Sequence, residues 1–486
     1  MPKTLGSTRE ARVNAHCSLD LIHRDHSVYE LTDHGRIVLK NPRRFISQTL
    51  DLLVWNAVLG ETEDVRSTAR WIIRRAGLEL GVVPASIQGL YEARGRKECS
   101  GFTVPAFNIR GLSYDVARAV FRAALRLKVG PCLFELSRSE SNYTDQKPSE
   151  YAAVMVAAAL REGYEGPVFI QGDHYQANAK KYAKDPEAEL QGIRDFCQES
   201  IAAGYYNIDI DTSTLVDLGK PGVREQQRAN FEASSKLAAF VRSMEPMGIT
   251  ISLGGEIGEV GKQNSTVEEL NAYMDGFLAN LSKQAGKKKG LSKISVQTGT
   301  THGGVVLPDG SMAQVAIDFE TLRALSAHAR DRYGLAGAVQ HGASTLPSDA
   351  FRKFPECEAA EVHLATEFQN LIFENPAFPS DLKDEIYKYL RKAFADEKKA
   401  GDTDEQFIYK TRKKAFGPFK KKIWELPAGV RGRIGNDLES KFAFLFERLN
   451  VQRRAELVKK AVTPVAVIPA TPPALAEALE KVNATR

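Results

Sequence analysis

Short runs rich in β-branched and aromatic residues alternate with longer amphipathic stretches along the chain from Phe102 onward. The amphipathic stretches repeat their apolar positions every three to four residues, as in Ser113–Leu127, which is typical of helices packed on one face. Most runs lie roughly 25 to 45 residues apart, enough for a crossover helix between parallel strands. The runs are Val104–Ile109, Pro131–Ser137, Val168–His174, Tyr206–Asp211, Ile249–Glu256, Ile294–Gly299, Gly337–Gly342 and Ala359–Thr366. Eight strands that alternate with helices predict an α/β fold, a closed (β/α)8 TIM barrel.

The segments on either side of the barrel lack this alternation. We expect a helical N-terminal extension over residues 1–95, with helices around Phe45–Leu59 and Val65–Leu80. The barrel is expected over 96–378. Residues 379–486 are expected to form amphipathic, lysine-rich helices and a flexible tail rich in proline and alanine.

Composition narrows the function classes. The 66 basic and 61 acidic residues leave a net charge of +5, a small difference between mixed totals, so neither nucleic acid nor an anionic membrane is indicated as a partner. The five scattered cysteines form no C-x-x-C pair and suggest reduced thiols, and no apolar run approaches the roughly 20 residues of a membrane span. A cytoplasmic protein is expected.

Polar and ionisable side chains recur at the carboxyl ends of the predicted strands, where barrel enzymes build their active sites. Three histidines at or just after strand ends, His174, His302 and His341, predict a zinc site with a fourth position left open for substrate. Neighbouring strand residues point to opposite faces, so Asp173 is not an automatic ligand and is instead a candidate general acid/base. The alternative for Asp173 is to orient a histidine ligand.

Two loops rich in glycine and hydroxyl side chains begin near the proposed zinc ligands. Residues 299–304 follow the sixth strand, and 341–345 follow the seventh. Glycine lets backbone N–H groups approach an anion closely, and loops at this face of a barrel often bind phosphate. The metal and phosphate sites are therefore expected to share a wall.

Taken in order, these residues resemble the motifs of the class II fructose-bisphosphate aldolase family. The matching segments are Pro105–Ile109, Ser137, Gln171–His174, Ile210–Ser213, Glu256–Gly258, Thr301–Gly303 and His341–Ser344. The resemblance implies a catalytic Asp173, and zinc held by the three histidines with Glu256 as the ligand of an alternative position. It also implies substrate or phosphate contacts from Asn108, Ser137, Asp211, Gly303, Gly342, Ser344, His363 and Thr366.

The chain departs from the family pattern at several positions. Gln171 replaces the first histidine of the His-x-Asp-His motif, and Asn264 stands where the family has a proton-moving loop glutamate. Glu259, Glu268 and Glu269 are candidates to substitute for that glutamate. On the eighth strand, His363 and Ala365 replace the family's asparagine and aspartate.

The resemblance implies reversible aldol cleavage of a ketose phosphate or bisphosphate, such as fructose 1,6-bisphosphate, in carbohydrate metabolism such as glycolysis. The cofactor would be Zn²⁺, with a monovalent cation as a second candidate, and the assembly a homo-oligomer. A metal supplies the electron sink, and no lysine lies within the predicted strands to form a Schiff base. The alternatives are a catalytically silent barrel that binds sugar phosphate or a partner subunit, and a different metal-dependent barrel enzyme.

Overall fold

A closed parallel barrel forms the centre of the protein. The computed structural model describes residues 27–32, 36–258, 263–299 and 317–484. Eight strands pair in sequence order, each parallel to the next, and the ring is closed. They are β4 (Val104–Asn108), β5 (Leu133–Ser137), β6 (Gly166–Gln176), β7 (Asn207–Asp211), β8 (Ser252–Glu256), β9 (Lys293–Ser295), β10 (Ala338–Gln340) and β11 (Glu361–Leu364). The barrel predicted from the sequence is confirmed.

Helices surround the barrel because their apolar stripes need a buried face. The helix Ser113–Leu127 buries nine of its side chains and ends at Lys128, whose φ of 51° closes it in the left-handed conformation. The helices of this layer are Ser113–Leu127, Arg138–Tyr143, Pro148–Glu162, Ala179–Lys184, Pro186–Ala203, Val223–Gln226, Arg228–Ser243, Val267–Ala285, Phe319–Tyr333, Lys353–Glu356 and Thr366–Phe373. Short 3₁₀ turns lie at Ser213–Leu215 and Ser348–Arg352.

The N-terminal extension packs against one side and the bottom of the barrel. It contains an antiparallel pair, β1 (Tyr29–Leu31) and β2 (Ile37–Leu39), and a strand β3 (Val82–Pro84) parallel to the start of β6. Its helical segments are Pro42–Arg44, Phe45–Thr49 (a π-helical turn), Leu50–Leu59, Glu63–Glu79 and Gln88–Gly95.

Arg94 closes the bottom of the barrel. Its guanidinium is fully buried and donates hydrogen bonds to the carbonyl oxygens of Phe102, Ala336, Glu358 and Ala359. These carbonyls lie just before strands β4, β10 and β11, where the chain would otherwise leave acceptors unsatisfied. The extension is therefore tied to the barrel through the amino ends of three strands.

The C-terminal segment is helical, as the sequence predicts, and packs on the barrel's outer helices and mouth. Phe442 and Phe446 of its long helix pack on Phe107 of β4 in a tilted and an edge-to-face arrangement, with ring centroids 4.9 and 5.6 Å away. The proline- and alanine-rich tail, expected to be flexible, contacts the N-terminal extension, because the Trp71 indole N–H donates to the carbonyl oxygen of Pro469 at 3.2 Å. The C-terminal helices are Ser380–Ala393, Asp404–Thr411, Lys420–Trp424, Ala428–Arg448, Ala455–Ala461 and Pro473–Ala484, with 3₁₀ turns at Ala395–Glu397 and Arg412–Ala415.

Across the described part of the chain, none of the helices combines the length and the apolar character needed to cross a bilayer.

Candidate active site

A polar cavity of about 660 Å³ opens at the carboxyl ends of the barrel strands. Its wall contains nine of the sequence-predicted site residues: Asn108, Ser137, Asp173, His174, His341, Gly342, Ser344, His363 and Thr366. These residues come from β4, β5, β6, β10 and β11 and from the loops that follow them. His302 and Gly303 lie outside the described residues. The predicted site residues that are described therefore converge at the carboxyl ends of the strands, where the sequence predicts the site.

A β-bulge in β6 brings Asp173 and His174 to the same site. The pairing of β6 with β7 shifts register between Gly172 and Tyr175, and His174 has a φ of 42°, a left-handed conformation that is uncommon for a residue other than glycine. Strict alternation would have sent the two side chains to opposite faces, as the sequence argument assumed. The bulge instead places both on the cavity wall. Non-glycine strain of this kind is often found at functional sites.

His174 and His341 meet at Asp173. The Nε2 atoms of both imidazoles are 3.6 Å from Asp173 Oδ1, and the two ring centroids are 4.1 Å apart. Donor atoms of these three residues all lie within 4.8 Å of one another, close enough to hold one ion. Two of the three predicted imidazoles thus converge, and the position of His302 is not described.

Two carboxylates fix the orientation of the His174 ring. Its Nδ1 is 3.0 Å from Asp211 Oδ2 and 3.1 Å from Glu256 Oε2, so its Nε2 is directed towards Asp173 and His341. Carboxylates in this position orient metal-bound histidines and raise their basicity. Asp211 also accepts from Gln176 and Ser213, so the structure places it behind His174. The direct substrate contact expected of it from the sequence stays a prediction. Buried imidazole nitrogens backed by carboxylates are the donor set that suits zinc, so the residues present fit the implied ion.

Asp173 lies at the centre of the site, where its contacts favour the ionised form of its carboxyl group. Burial alone would raise its pKa, but the charge of His174 and the contacts of His341 and His363 hold that pKa well below its usual value. Its Oδ1 is 3.2 Å from His363 Nδ1, and its Oδ2 accepts from the Asn108 amide at 3.5 Å. A buried carboxylate that is held from two sides at the cavity wall is positioned to accept a proton from a substrate hydroxyl.

Cations that the sequence argument did not single out line the outer part of the cavity. Arg110 is held by Glu140, with Nη2 2.7 Å from its Oε1, and by Gln369. Lys413 comes from the C-terminal segment and is half-buried. Burial and the nearby Arg110 lower the pKa of Lys413, and within the described chain no carboxylate lies at ion-pair distance from it. Arg138, Lys181 and Lys410 line the same cavity.

Two of the three residues proposed to replace the missing loop glutamate are described, and both lie away from the cavity wall. Asn264 donates to Asp318 Oδ2 at 2.9 Å, outside the cavity. Glu269 accepts from the backbone and hydroxyl of Thr266 in a capping box, while Glu268 is exposed in the same first helical turn. Glu259 lies outside the described residues. Neither Glu268 nor Glu269 takes the place of the family's glutamate at the cavity wall.

One sequence-based statement is corrected by the barrel interior. Lys293 begins β9, one residue before the predicted sixth strand, so a lysine does lie within a barrel strand. Its Nζ is fully buried and bonded to Asp209, Gln171 and Glu361. The two carboxylates raise its pKa although burial opposes this, so the group is a paired ammonium and not a free amine.

The fold and the site define a (β/α)8-barrel protein with a polar, metal-competent cavity at the carboxyl ends of its strands. Residues 95–422, more than half of the chain, match the family model described as "Fructose-bisphosphate aldolase class-II". The chain belongs to the class II fructose-bisphosphate aldolase family. The curated proteins contain no match to it.

Solved structures with the same architecture are distant in sequence. The fructuronate-tagaturonate epimerase UxaE of Cohnella laeviribosi is 10% identical with a TM-score of 0.56, covering 82% of this chain and 90% of that one. A probable tagatose 6 phosphate kinase from Sinorhizobium meliloti 1021 is 16% identical with a TM-score of 0.50, covering 79% and 98%. The fructose-bisphosphate aldolase of Campylobacter jejuni is 16% identical with a TM-score of 0.46, covering 76% and 96%. At these identities the first two similarities speak for the fold alone.

Proposed function

We propose that this protein is a metal-dependent aldolase that reversibly cleaves a ketose phosphate. The observation that carries the proposal is the position of Asp173. Its ionised carboxylate lies 3.6 Å from the Nε2 atoms of two converging histidines, inside a cavity that also contains cationic side chains. A proton acceptor, a metal position and an anion-binding wall are the parts that this reaction needs.

In the cleavage direction, Asp173 takes the proton of the substrate's C4 hydroxyl. The C4 oxygen then forms a carbonyl, the C3–C4 bond breaks, and its electron pair remains on the C3 side. A bound divalent ion would act as a Lewis acid that polarises the ketone and stabilises this charge, a contribution of several kcal/mol in enzymes of this kind. To complete the reaction, C3 takes a proton from solvent water and Asp173 returns its proton to solvent. In the condensation direction Asp173 returns the proton to the new hydroxyl.

The remaining residues hold the substrate in the orientation that the bond cleavage requires. His174, His341 and, by its place in the sequence motif, His302 would hold the ion, and we propose zinc because imidazole donors suit it. Gly342, Ser344, Thr366 and Ser137 line the part of the cavity where a phosphate would be bound. Fixing both ends of a substrate lowers the barrier through orientation alone.

Metal removal and reloading test this proposal. Protein treated with a chelator should lose aldol cleavage of ketose phosphates and regain it with zinc or cobalt, measured by the release of the carbonyl products. Each substrate is compared with its unphosphorylated sugar as a control. If the reloaded protein cleaves none of a panel of ketose phosphates that differ at C4, the proposal fails.

A catalytically silent barrel that binds sugar phosphate is the second candidate. It is favoured by the commitment of Asn264 to Asp318 and by the small side chain of Ala365, which leave two of the family's substrate contacts unfilled. Stoichiometric metal and saturable binding of a ketose phosphate, without turnover, would select this candidate over the first.

A further inference from the structure

A network of charged side chains fills the barrel below the cavity, where branched apolar residues are usual. Lys293 lies at its centre. Its Nζ is 2.9 Å from Asp209 Oδ1 and 2.7 Å from Gln171 Oε1, and it also contacts Glu361 Oε2. Lys293 and Glu361 are both fully buried, and neither belongs to the wall of the cavity. Neither can therefore touch a substrate.

The network continues upward to the proposed catalytic carboxylate. Glu361 Oε2, the same oxygen that Lys293 contacts, is 2.8 Å from His363 Nε2. The opposite nitrogen of that ring, Nδ1, is 3.2 Å from Asp173 Oδ1 and 3.1 Å from Glu135 Oε2. Glu361 and His363 are two residues apart on β11, so both point to the barrel interior. Three contacts thus connect Lys293 to Asp173.

Burying this many charges has a cost that packing alone would avoid. A buried ion pair often contributes no more stability than apolar side chains of the same volume, so a gain in stability does not explain why this barrel contains the network. What a fully bonded network does supply is a single geometry, because each member is held by partners on several strands. Here the partners of Lys293 come from β6, β7 and β11.

We propose that Lys293 is a positioning residue for Asp173, acting through Glu361 and His363. Lys293 fixes the Glu361 carboxylate, Glu361 fixes the His363 ring by its Nε2, and the Nδ1 edge of that ring sets where the Asp173 carboxylate lies. The importance of this position for turnover rests on the proposed function. The chain of contacts itself does not.

The contact chain can be tested in metal-free protein without any assay of activity. With ¹⁵N-labelled histidine, ring protons that lie between His363 and its carboxylates should give downfield NMR signals, assigned by their loss in His363→Gln. Lys293→Met should shift or broaden these signals. Ser252→Ala is the matched control, because it removes a buried 2.7 Å hydrogen bond between β8 and Ser292, the residue just before β9, and leaves every side chain of the network in place. The control should leave the signals unchanged.

Turnover of the metal-loaded protein gives the second measurement. Lys293→Met should lower kcat at least tenfold with KM changed less than about threefold and metal content retained, because misplacement by an ångström costs about this much or more. Ser252→Ala should keep kcat near that of the wild type. If Lys293→Met does not fold, Glu361→Gln replaces it in both measurements, with the same results expected.

Unchanged His363 signals in Lys293→Met, or in Glu361→Gln where that variant is used, overturn the proposal whatever the activity. A normal kcat in a folded variant also overturns it. Shifted signals in a protein that turns over no ketose phosphate would support the contact chain and remove only the proposed function.

Discussion

Replacing Asp173 with asparagine removes the proposed proton acceptor while preserving the shape of the site. The amide keeps an oxygen that can accept from His363 Nδ1 or from Asn108, the two contacts that hold the carboxylate at 3.2 and 3.5 Å. The variant loses the negative charge and the ability to take a proton from a hydroxyl. The ring orientation of His174 should persist, because Asp211 and Glu256 set it independently.

The expected magnitude follows from the role of the group. A positioned general base contributes roughly 10²- to 10⁴-fold to a rate, and each factor of ten corresponds to about 1.4 kcal/mol of activation free energy. We therefore expect kcat to fall by roughly 10²- to 10⁴-fold, or about 3 to 5.5 kcal/mol. Metal content should remain near that of the wild type because the proposed ligands are the histidines, and Asp211 and Glu256 still orient His174.

The assay compares kcat, KM and bound metal for Asp173→Asn, the wild type and Asp115→Asn. Asp115 pairs with Arg431 at 2.9 Å on an outer helix, so its asparagine variant also loses a carboxylate but lies away from the cavity. If Asp173→Asn retains more than a tenth of the wild-type kcat, Asp173 is not the base. If that variant loses its metal while Asp115→Asn does not, Asp173 belongs to the metal site and the proposed role is wrong.

Two further variants test the outer cavity and the barrel bottom. Lys413→Gln should raise KM for a phosphorylated ketose by roughly 10- to 100-fold with little change in kcat, because it removes a charge-assisted contact to the anion. The control is Lys421→Gln, at an exposed lysine. An unchanged KM would exclude Lys413 from the phosphate site. Arg94→Met should lower the free energy of unfolding, measured by chemical denaturation, by about 3 to 5 kcal/mol, because it leaves several buried carbonyl oxygens without a donor. The control is Arg96→Met, at an exposed arginine. Equal stability of the two variants would contradict the proposed closure of the barrel bottom.

The order of strands and helices could be predicted because every barrel strand is buried and each is followed by an amphipathic stretch. The boundaries were less predictable. The predicted run Gly337–Gly342 contains a strand of only three residues, Ala338–Gln340, and the predicted sixth strand begins one residue early, at Lys293. Apolar composition shows where the chain is buried, whereas a strand ends where hydrogen bonding to the adjacent strand stops, which composition does not show.

The predicted site residues that the structure describes share one property: each lies at a strand end or in the loop directly after it. Asp173 and His174 were found for this reason, although their relative orientation was not. Their common direction depends on the register shift between β6 and β7, and a register is a relation between two segments. Lys413 was not singled out because a lysine in a lysine-rich predicted helix suggests a solvated residue, whereas in the structure it lies in a 3₁₀ turn at the barrel mouth.

The burial of Lys293 was even less predictable from the sequence than the position of Lys413. In the sequence, Lys293 follows a glycine, a leucine and a serine and precedes the alternating residues Ile294–Gln297, which suggests an exposed residue at the start of a strand. Its partners Gln171, Asp209 and Glu361 are separated from it by 122, 84 and 68 positions. A lone buried ammonium would be strongly destabilising, so only the closed ring of strands, which brings two carboxylates and an amide to one point, makes the interior position tenable. In the proposed mechanism, the closed ring of strands that makes these buried charges tenable also fixes where the Asp173 carboxylate lies.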